Sequence, residues 1–182
     1  MLFKSILRMA AVFAAVSLSQ NTFAGSYWGI GLGSSSWTLK PLHGAYELDN
    51  GATLDLVFGR KSGHLGFEGE FTFSSHDWKN YYGSATHNVG NLILAGMAYL
   101  PLGQSFELYG KIGADLWRTT VDYSGTTYDG DNGFSAVVGA GVNINITRTT
   151  GLRLEYKQMN GLGDGVDKGD IKQGTALVIL KL

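Results

Sequence analysis

Residues 134–146 have the sequence FSAVVGAGVNINI, in which apolar side chains alternate with small or polar ones along the whole stretch. Phe134, Val142 and Ile146 share one face of an extended chain, and Ser135 and Asn143 share the other. This alternation predicts a β-strand with one apolar and one polar face. Seven other segments behave similarly, although 89–100 is apolar on both faces and its register stays open. The eight predicted strands are 27–36, 52–61, 65–74, 89–100, 106–117, 134–146, 152–156 and 175–182.

The connections between these strands alternate in length. Short turns rich in Gly, Ser and Thr join the second strand to the third, the fourth to the fifth and the sixth to the seventh. The other four links are long and hydrophilic, at 37–50, 75–88, 118–132 and 158–172. This alternation of short and long connections predicts an all-β, eight-stranded, antiparallel up-and-down transmembrane β-barrel. Its short turns and both termini would lie in the periplasm, and its four long loops would be extracellular.

The polar faces of the strands indicate which side of the sheet faces the barrel lumen. They carry many glycines, among them Gly29, Gly31 and Gly139, which suit a narrow lumen better than a solvated surface. A soluble barrel with a polar exterior is the alternative. In the membrane arrangement, buried charges must pair inside the lumen. The predicted lumen charges are Asp55, Glu68, Glu70, Glu107, Lys111, Asp115, Arg153, Glu155 and Lys157, with Lys61 and Lys181 as further bases.

The first 24 residues have the three parts of a secretory signal. Lys4 and Arg8 precede an apolar run of about ten residues, and a polar stretch then ends at Ala24. The run is too short for a spanning helix, which needs roughly 20 apolar residues. We therefore expect a signal peptide at 1–24 and one barrel domain at 25–182. Without Lys4 and Arg8 the chain has 12 basic and 15 acidic residues, which argues against a nucleic-acid partner.

The mature sequence resembles the OmpA/OmpX-like family of small outer-membrane β-barrels. The resemblance rests on residues 27–33 (YWGIGLG), on the strand pair between Leu54 and Phe73 around Gly59 and Arg60, and on the alternating C-terminal strand. It implies an outer-membrane location, contact with membrane lipid and lipopolysaccharide, and insertion by the barrel-insertion machinery, and we expect a monomer. One departure is the last residue, Leu182, since such barrels usually end on Phe or Trp.

Aromatic residues predict two belts at the membrane interfaces. The belt near the short turns contains Trp28, Phe58, Phe67, Tyr99 and Phe106, and that near the long loops contains Phe73, Trp117 and Phe134. Further aromatic residues in the predicted loops are candidate contacts for a host surface, a sugar or a protein, or caps on the barrel. These loop candidates are Trp37, Tyr46, Trp78, Tyr81, Tyr82, Tyr123 and Tyr128.

No motif indicates a catalytic, cofactor or metal site. Ser74, Ser75, His76 and Asp77 contain the residue types of a hydrolytic triad, but sequence neighbours seldom converge in space. The segment 161–170, which is rich in Asp and Gly, could supply oxygen ligands to Ca²⁺, although its spacing is not that of an EF-hand. Three hypotheses remain: a non-enzymatic envelope or surface-interaction protein, a narrow channel, and a lipid A-modifying enzyme. The first is preferred because an eight-stranded lumen is usually filled by its own side chains.

Overall fold

The computed structural model describes residues 25–39, 46–80, 83–123, 126–162 and 169–182. The predicted signal peptide, Tyr81 and Tyr82 lie outside these ranges. Eight strands follow one another along the chain: β1 (Ser26–Leu39), β2 (Tyr46–Ser62), β3 (Leu65–Asn80), β4 (Gly83–Pro101), β5 (Phe106–Tyr123), β6 (Thr126–Asn145), β7 (Thr150–Leu162) and β8 (Gly169–Lys181).

The strands form one closed antiparallel barrel in which each strand pairs with its sequence neighbours and β1 pairs with β8. The predicted fold class is thereby confirmed. The three short turns are also present, and two of them use a glycine with positive φ, Gly63 at 60° and Gly103 at 96°. No helix in the described ranges is long and apolar enough to cross a membrane.

The closure between β1 and β8 depends on glycines that point into the lumen. Gly31 is opposite Leu177, and a Cβ on Gly31 would lie 2.7 Å from the backbone oxygen of Ala176. A Cβ on Gly33 would lie 2.2 Å from the backbone oxygen of Gly174. The alternating glycines of β1 therefore let the first and last strands approach closely enough to close the barrel.

The outer wall of the barrel is apolar. Large side chains on the outward faces are exposed, including Leu32 at 71%, Ile112 at 69% and Phe134 at 66%. An apolar surface of this extent is stable only when lipid rather than water covers it.

The ends of the strands differ from the prediction. The segments predicted as long loops continue as paired strands: β5 reaches Tyr123, β6 begins at Thr126 and β7 extends to Leu162. The links outside the strands shrink to 40–45, 81–82, 124–125 and 163–168, which are not described. The expectation of four long loops is therefore wrong in extent. Inward side chains of these extensions, such as Trp37 and Met159, are buried, but Gly, Asp and Asn residues interrupt the apolar alternation that marks a strand in a sequence.

Candidate functional site

The centre of the lumen is a cluster of buried charges around Lys111 of β5. Its Nζ lies 2.7 Å from Glu70 Oε2, 2.5 Å from Glu155 Oε1 and 3.5 Å from Glu68 Oε1. All four side chains are almost fully shielded from solvent. The three carboxylates come from β3 and β7, so one ammonium group links two walls of the barrel through β5.

Lys157 of β7 contacts a second set of acceptors, which lie across the lumen on β2 and β3. Its Nζ donates to Glu70 and, at 3.2 Å, to Asp55 Oδ2. Gln173 of β8 completes the site, because its Nε2 donates to both carboxylate oxygens of Asp55 at 2.9 and 2.8 Å. Glu70 thus accepts from both lysines, and the two halves of the network share one carboxylate.

Arg153 connects the charges to a layer of tyrosines nearer the short turns. Its Nη1 donates to Glu68 Oε2 at 2.5 Å, and its guanidinium lies over the rings of Tyr27 and Tyr109 at 5.2 and 4.8 Å. Tyr27 donates to Glu68 at 2.7 Å and Tyr109 to Glu155 at 2.5 Å. Tyr109 therefore donates to the Glu155 oxygen that Lys111 does not contact, whereas Tyr27 and Arg153 share Glu68 Oε2.

The structure brings together six of the predicted lumen charges besides Lys111: Asp55, Glu68, Glu70, Arg153, Glu155 and Lys157. Glu107 pairs instead with Lys61 near the short turns. Asp115 has no ion pair among the described residues; Asn91 and Ser135 donate to it at 2.9 and 3.2 Å. Lys181 donates to Asn145 rather than to an acid.

Several lumen residues were not singled out from the sequence. Tyr27 shares its face with Gly29 and Gly31, and Gln173 shares its face with Thr175, so period-two counting could have placed both inside. Tyr99 was predicted in an outer aromatic belt but lies inside, where its hydroxyl is 3.1 Å from that of Tyr27. That assignment was wrong because the doubly apolar fourth strand gave no register.

Apolar side chains fill the lumen beside the charges, where Ile93 and Ala95 pair with Glu70 and Glu68, and beyond them toward the strand extensions. Along β7, Met159 and Leu162 follow Lys157, and on β8 Ile171 precedes Gln173. This layer, called the apolar plug, consists of Trp37, Val89, Ile93, Ala95, Trp117, Val137, Met159, Leu162 and Ile171. Trp117 was predicted in an outer belt but is buried inside, so that prediction was wrong. Trp37 lies in β1 and not in a loop, and its buried position agrees with the alternative that these aromatic residues cap the barrel.

Beyond the plug, the strand extensions form the rim of the barrel. There β6 pairs over a longer stretch with β5 than with β7. β6 pairs with β5 as far as Thr126 but with β7 only from Ala136 onward. Residues 126–135, called the β6 edge, thus have no strand partner on the β7 side among the described residues. Tyr128 and Tyr123 are exposed on this hairpin. Tyr46 and Trp78 belong to β2 and β3, and their side chains lie outside the description.

The residue types of a hydrolytic triad do not converge. His76 is buried and its Nε2 lies 3.2 Å from the hydroxyl of Ser35, a residue of another strand. Asp77 points to the opposite side and accepts from Thr86 at 2.8 Å. Within the described ranges no group of three His, Asp or Glu side chains could hold a metal ion. The proposed Ca²⁺ segment lies largely in 163–168, which is not described.

A closed barrel with an apolar exterior and a charge-paired interior is a transmembrane β-barrel of the outer-membrane class. The sequence model of the outer membrane protein beta-barrel domain matches residues 5–180. The chain belongs to this family, and its location is the outer membrane.

Named relatives agree with this assignment. Outer membrane protein A of Salmonella typhi is 30% identical over 112 residues, which cover 56% of this chain and 30% of that protein. The chain thus spans about a third of the length of the curated relatives it matches.

Among solved structures, Neisserial surface protein A is similar with a TM-score of 0.72 at 16% identity, covering 87% of this chain and 98% of that one. Ail, the attachment invasion locus protein of Yersinia pestis, has a TM-score of 0.58 at 14% identity, covering 88% and 100%. Ail has also been solved with the heparin analogue sucrose octasulfate. These likenesses show the fold.

Proposed function

We propose that this barrel is a non-enzymatic surface-interaction protein whose docking site is the β6 edge. The observation that carries the proposal is the missing strand partner of residues 126–135 on the β7 side, within the described part of the chain. An unpaired strand edge presents a row of backbone donors and acceptors that another extended chain can pair with.

The β6 edge has the length and accessibility that strand addition requires. The seven residues from Thr126 to Asn132 lie beyond the apolar Phe134 and span roughly 23 Å at about 3.3 Å per residue. The side chains from Thr126 to Asn132 are all exposed, and Tyr128 is 56% exposed. Aromatic side chains are common anchors at protein interfaces, so Tyr128 is the expected anchor residue.

The charge of the rim favours a basic partner. The four segments 37–50, 75–88, 118–132 and 158–172 contain nine acidic and five basic residues. Asp129 and Asp131 lie on the β6 edge itself. We therefore propose an extended, lysine- or arginine-rich polypeptide segment as the partner.

The lumen offers less support to the channel alternative. Charges cross the barrel in mutual contact, and the apolar plug lies in series with them. Ions would have to cross both layers. For the lipid A-modifying alternative, the contact between the Ser35 hydroxyl and Nε2 of His76 is buried inside the barrel, away from the membrane-facing wall that a lipid substrate reaches.

We also propose that residues 1–24 are removed on export, that the barrel-insertion machinery inserts the remainder, and that both termini face the periplasm. The short turns on the side of the termini and the longer strand extensions on the other support this orientation. The β6 edge would then be outside the cell.

Attachment of bacteria to epithelial-cell monolayers tests the proposal, in a Gram-negative strain that attaches poorly by itself. Expression of the wild-type chain should raise attachment, and Tyr128→Ala should lower the gain roughly tenfold, as loss of an anchor residue does. The matched control is Tyr156→Ala, because Tyr156 is 54% exposed on the membrane-facing wall of β7. Added heparin should lower the gain, because the polyanion binds a lysine- or arginine-rich segment in place of the acidic rim.

Proline substitutions test the backbone edge itself. Adjacent residues direct their N–H groups to opposite sides of a strand, so one of Thr127→Pro and Tyr128→Pro removes a free-edge donor. That variant should attach poorly while keeping the heat-modifiable gel mobility of a folded barrel. No gain over the empty strain, or equal loss in Tyr156→Ala, would contradict the proposal and favour an envelope-structural role.

A further inference from the structure

Two rows of outward-facing residues meet at the boundary between the apolar wall and the rim. The lower row is wholly apolar and runs across four strands as Phe71, Leu92, Leu116 and Phe134. The next row, two residues further along each strand, consists of Phe73, Gly90, Arg118 and Asn132. The change from apolar to polar between them marks the membrane interface on this side of the barrel.

A groove opens where these rows meet. Gly90 lies between Phe73 and Arg118 and has no side chain to fill the space between them. The groove has a volume of about 460 Å³, within the range of small-molecule sites. Its lower part is lined by the apolar row, and Arg118 and Asn132 border its upper part. We call it the acyl groove.

Arg118 gives the upper end of the groove a positive charge. Its Nη2 donates to Asp129 at 2.9 Å, but the Asp129 side chain is 80% exposed, and such surface pairs are weak. The Arg118 Nε is buried and has no hydrogen-bond partner in the structure. A guanidinium carries five N–H donors in a planar fork that suits a phosphate, so the contact to Asp129 leaves donors for an anion.

We infer that the acyl groove binds lipid A, the acylated and phosphorylated anchor of lipopolysaccharide. One acyl chain lies over Gly90 against Phe73, Leu92 and Leu116, and a phosphate accepts hydrogen bonds from Arg118. The groove faces the membrane, so lipid is the apolar material that reaches it. It lies at the end of the strand extensions, which is the outer leaflet in the orientation proposed above, and lipopolysaccharide forms that leaflet. The inference rests on that orientation and not on the docking role of the β6 edge.

Native mass spectrometry of the refolded, lipid-free protein in mild detergent tests this site. Hexa-acylated, bisphosphorylated lipid A is the probe, and phosphatidylglycerol is the comparison lipid. The wild-type protein should retain one lipid A molecule in preference to phosphatidylglycerol. Gly90→Leu, which fills the groove, and Arg118→Gln, which removes the charge, should each weaken binding by about tenfold, equivalent to about 1.4 kcal/mol.

Each variant has a matched control. Gly96 is an outward glycine on the same strand whose added Cβ would meet only one atom, at 3.9 Å, so Gly96→Leu should bind as the wild type does. Arg148→Gln removes an exposed cation at a short turn. Heat-modifiable mobility identifies folded variants, and Arg118→Gln keeps the test valid if Gly90→Leu misfolds. Equal binding by all variants, or equal retention of phosphatidylglycerol, would overturn the inference. Neither result affects the attachment experiment.

Discussion

Lys111 shows how single residues stabilise this barrel. Its ammonium group is buried among three carboxylates, and the cost of removing these charges from water is offset only while all of them are paired. The Lys61–Glu107 pair has the same chemistry in a wetter place, since the Lys61 side chain is 33% exposed near the short turns. Both lysines form ion pairs, but we expect those of Lys111 to matter more to the free energy of unfolding than that of Lys61.

Replacing Lys111 with methionine should lower the free energy of unfolding by about 3–5 kcal/mol, because Glu70 and Glu155 would be left buried without their shared cation. The control Lys61→Met should cost less than about 1 kcal/mol, as expected for a partly exposed pair. Urea titration of the refolded protein, followed by heat-modifiable mobility, measures both. Similar losses in the two variants would show that the central network is not the main electrostatic support.

For single residues, the sequence predicted which face of each strand carries the charges, but it did not predict which charges pair with one another. Strand alternation placed Glu68, Lys111 and Arg153 on one face. Their contacts join residues that are far apart in the sequence: Lys111 and Glu70 are separated by 41 positions, and Arg153 and Glu68 by 85. Such pairings depend on the register between strands, which composition does not reveal. Asp115 illustrates the limit, because its acidic character gave no hint that its hydrogen-bond donors would be an amide and a hydroxyl.

The lengths of whole strands were also beyond what the sequence could predict, as the strand extensions show. Residues 118–132 contain Gly, Asp, Asn, Ser and Thr, which are typical of loops, and alternation is lost there. The β5–β6 ladder nevertheless continues to Tyr123 and Thr126, with one register shift between Arg118 and Thr120. Pairing that begins in the membrane is extended residue by residue, so neighbouring backbone groups overcome low intrinsic β-propensity.

The orientation of this hairpin can be tested with single cysteines, because the chain contains none. Tyr128→Cys on the β6 edge should react with a membrane-impermeant maleimide on intact cells. Gln104→Cys, in the exposed turn between β4 and β5, should react only after the outer membrane is permeabilised. The reverse pattern would place the short turns outside, and would remove the basis for both the docking role and the lipid A site.

At the scale of the whole molecule, the barrel could be predicted because two periodic features agreed. Alternation within strands and alternation of turn lengths both agree with a closed sheet that has an even number of strands. The apolar plug could not be predicted in this way. Trp37, Met159 and Ile171 come from β1, β7 and β8, in stretches that have polar neighbours and resemble loops. Only closure of the barrel brings them together, and their contact closes the lumen that the charges had already narrowed.

We propose that the lumen is closed and that the protein acts at its surface. Single-channel recording in planar bilayers tests it most directly, with the wild-type protein and Lys111→Met compared in potassium chloride. The packed charges and the plug predict no discrete conductance steps above the bare bilayer for the wild type. A steady wild-type current that Lys111→Met alters would contradict the claim and show that ions pass through the network.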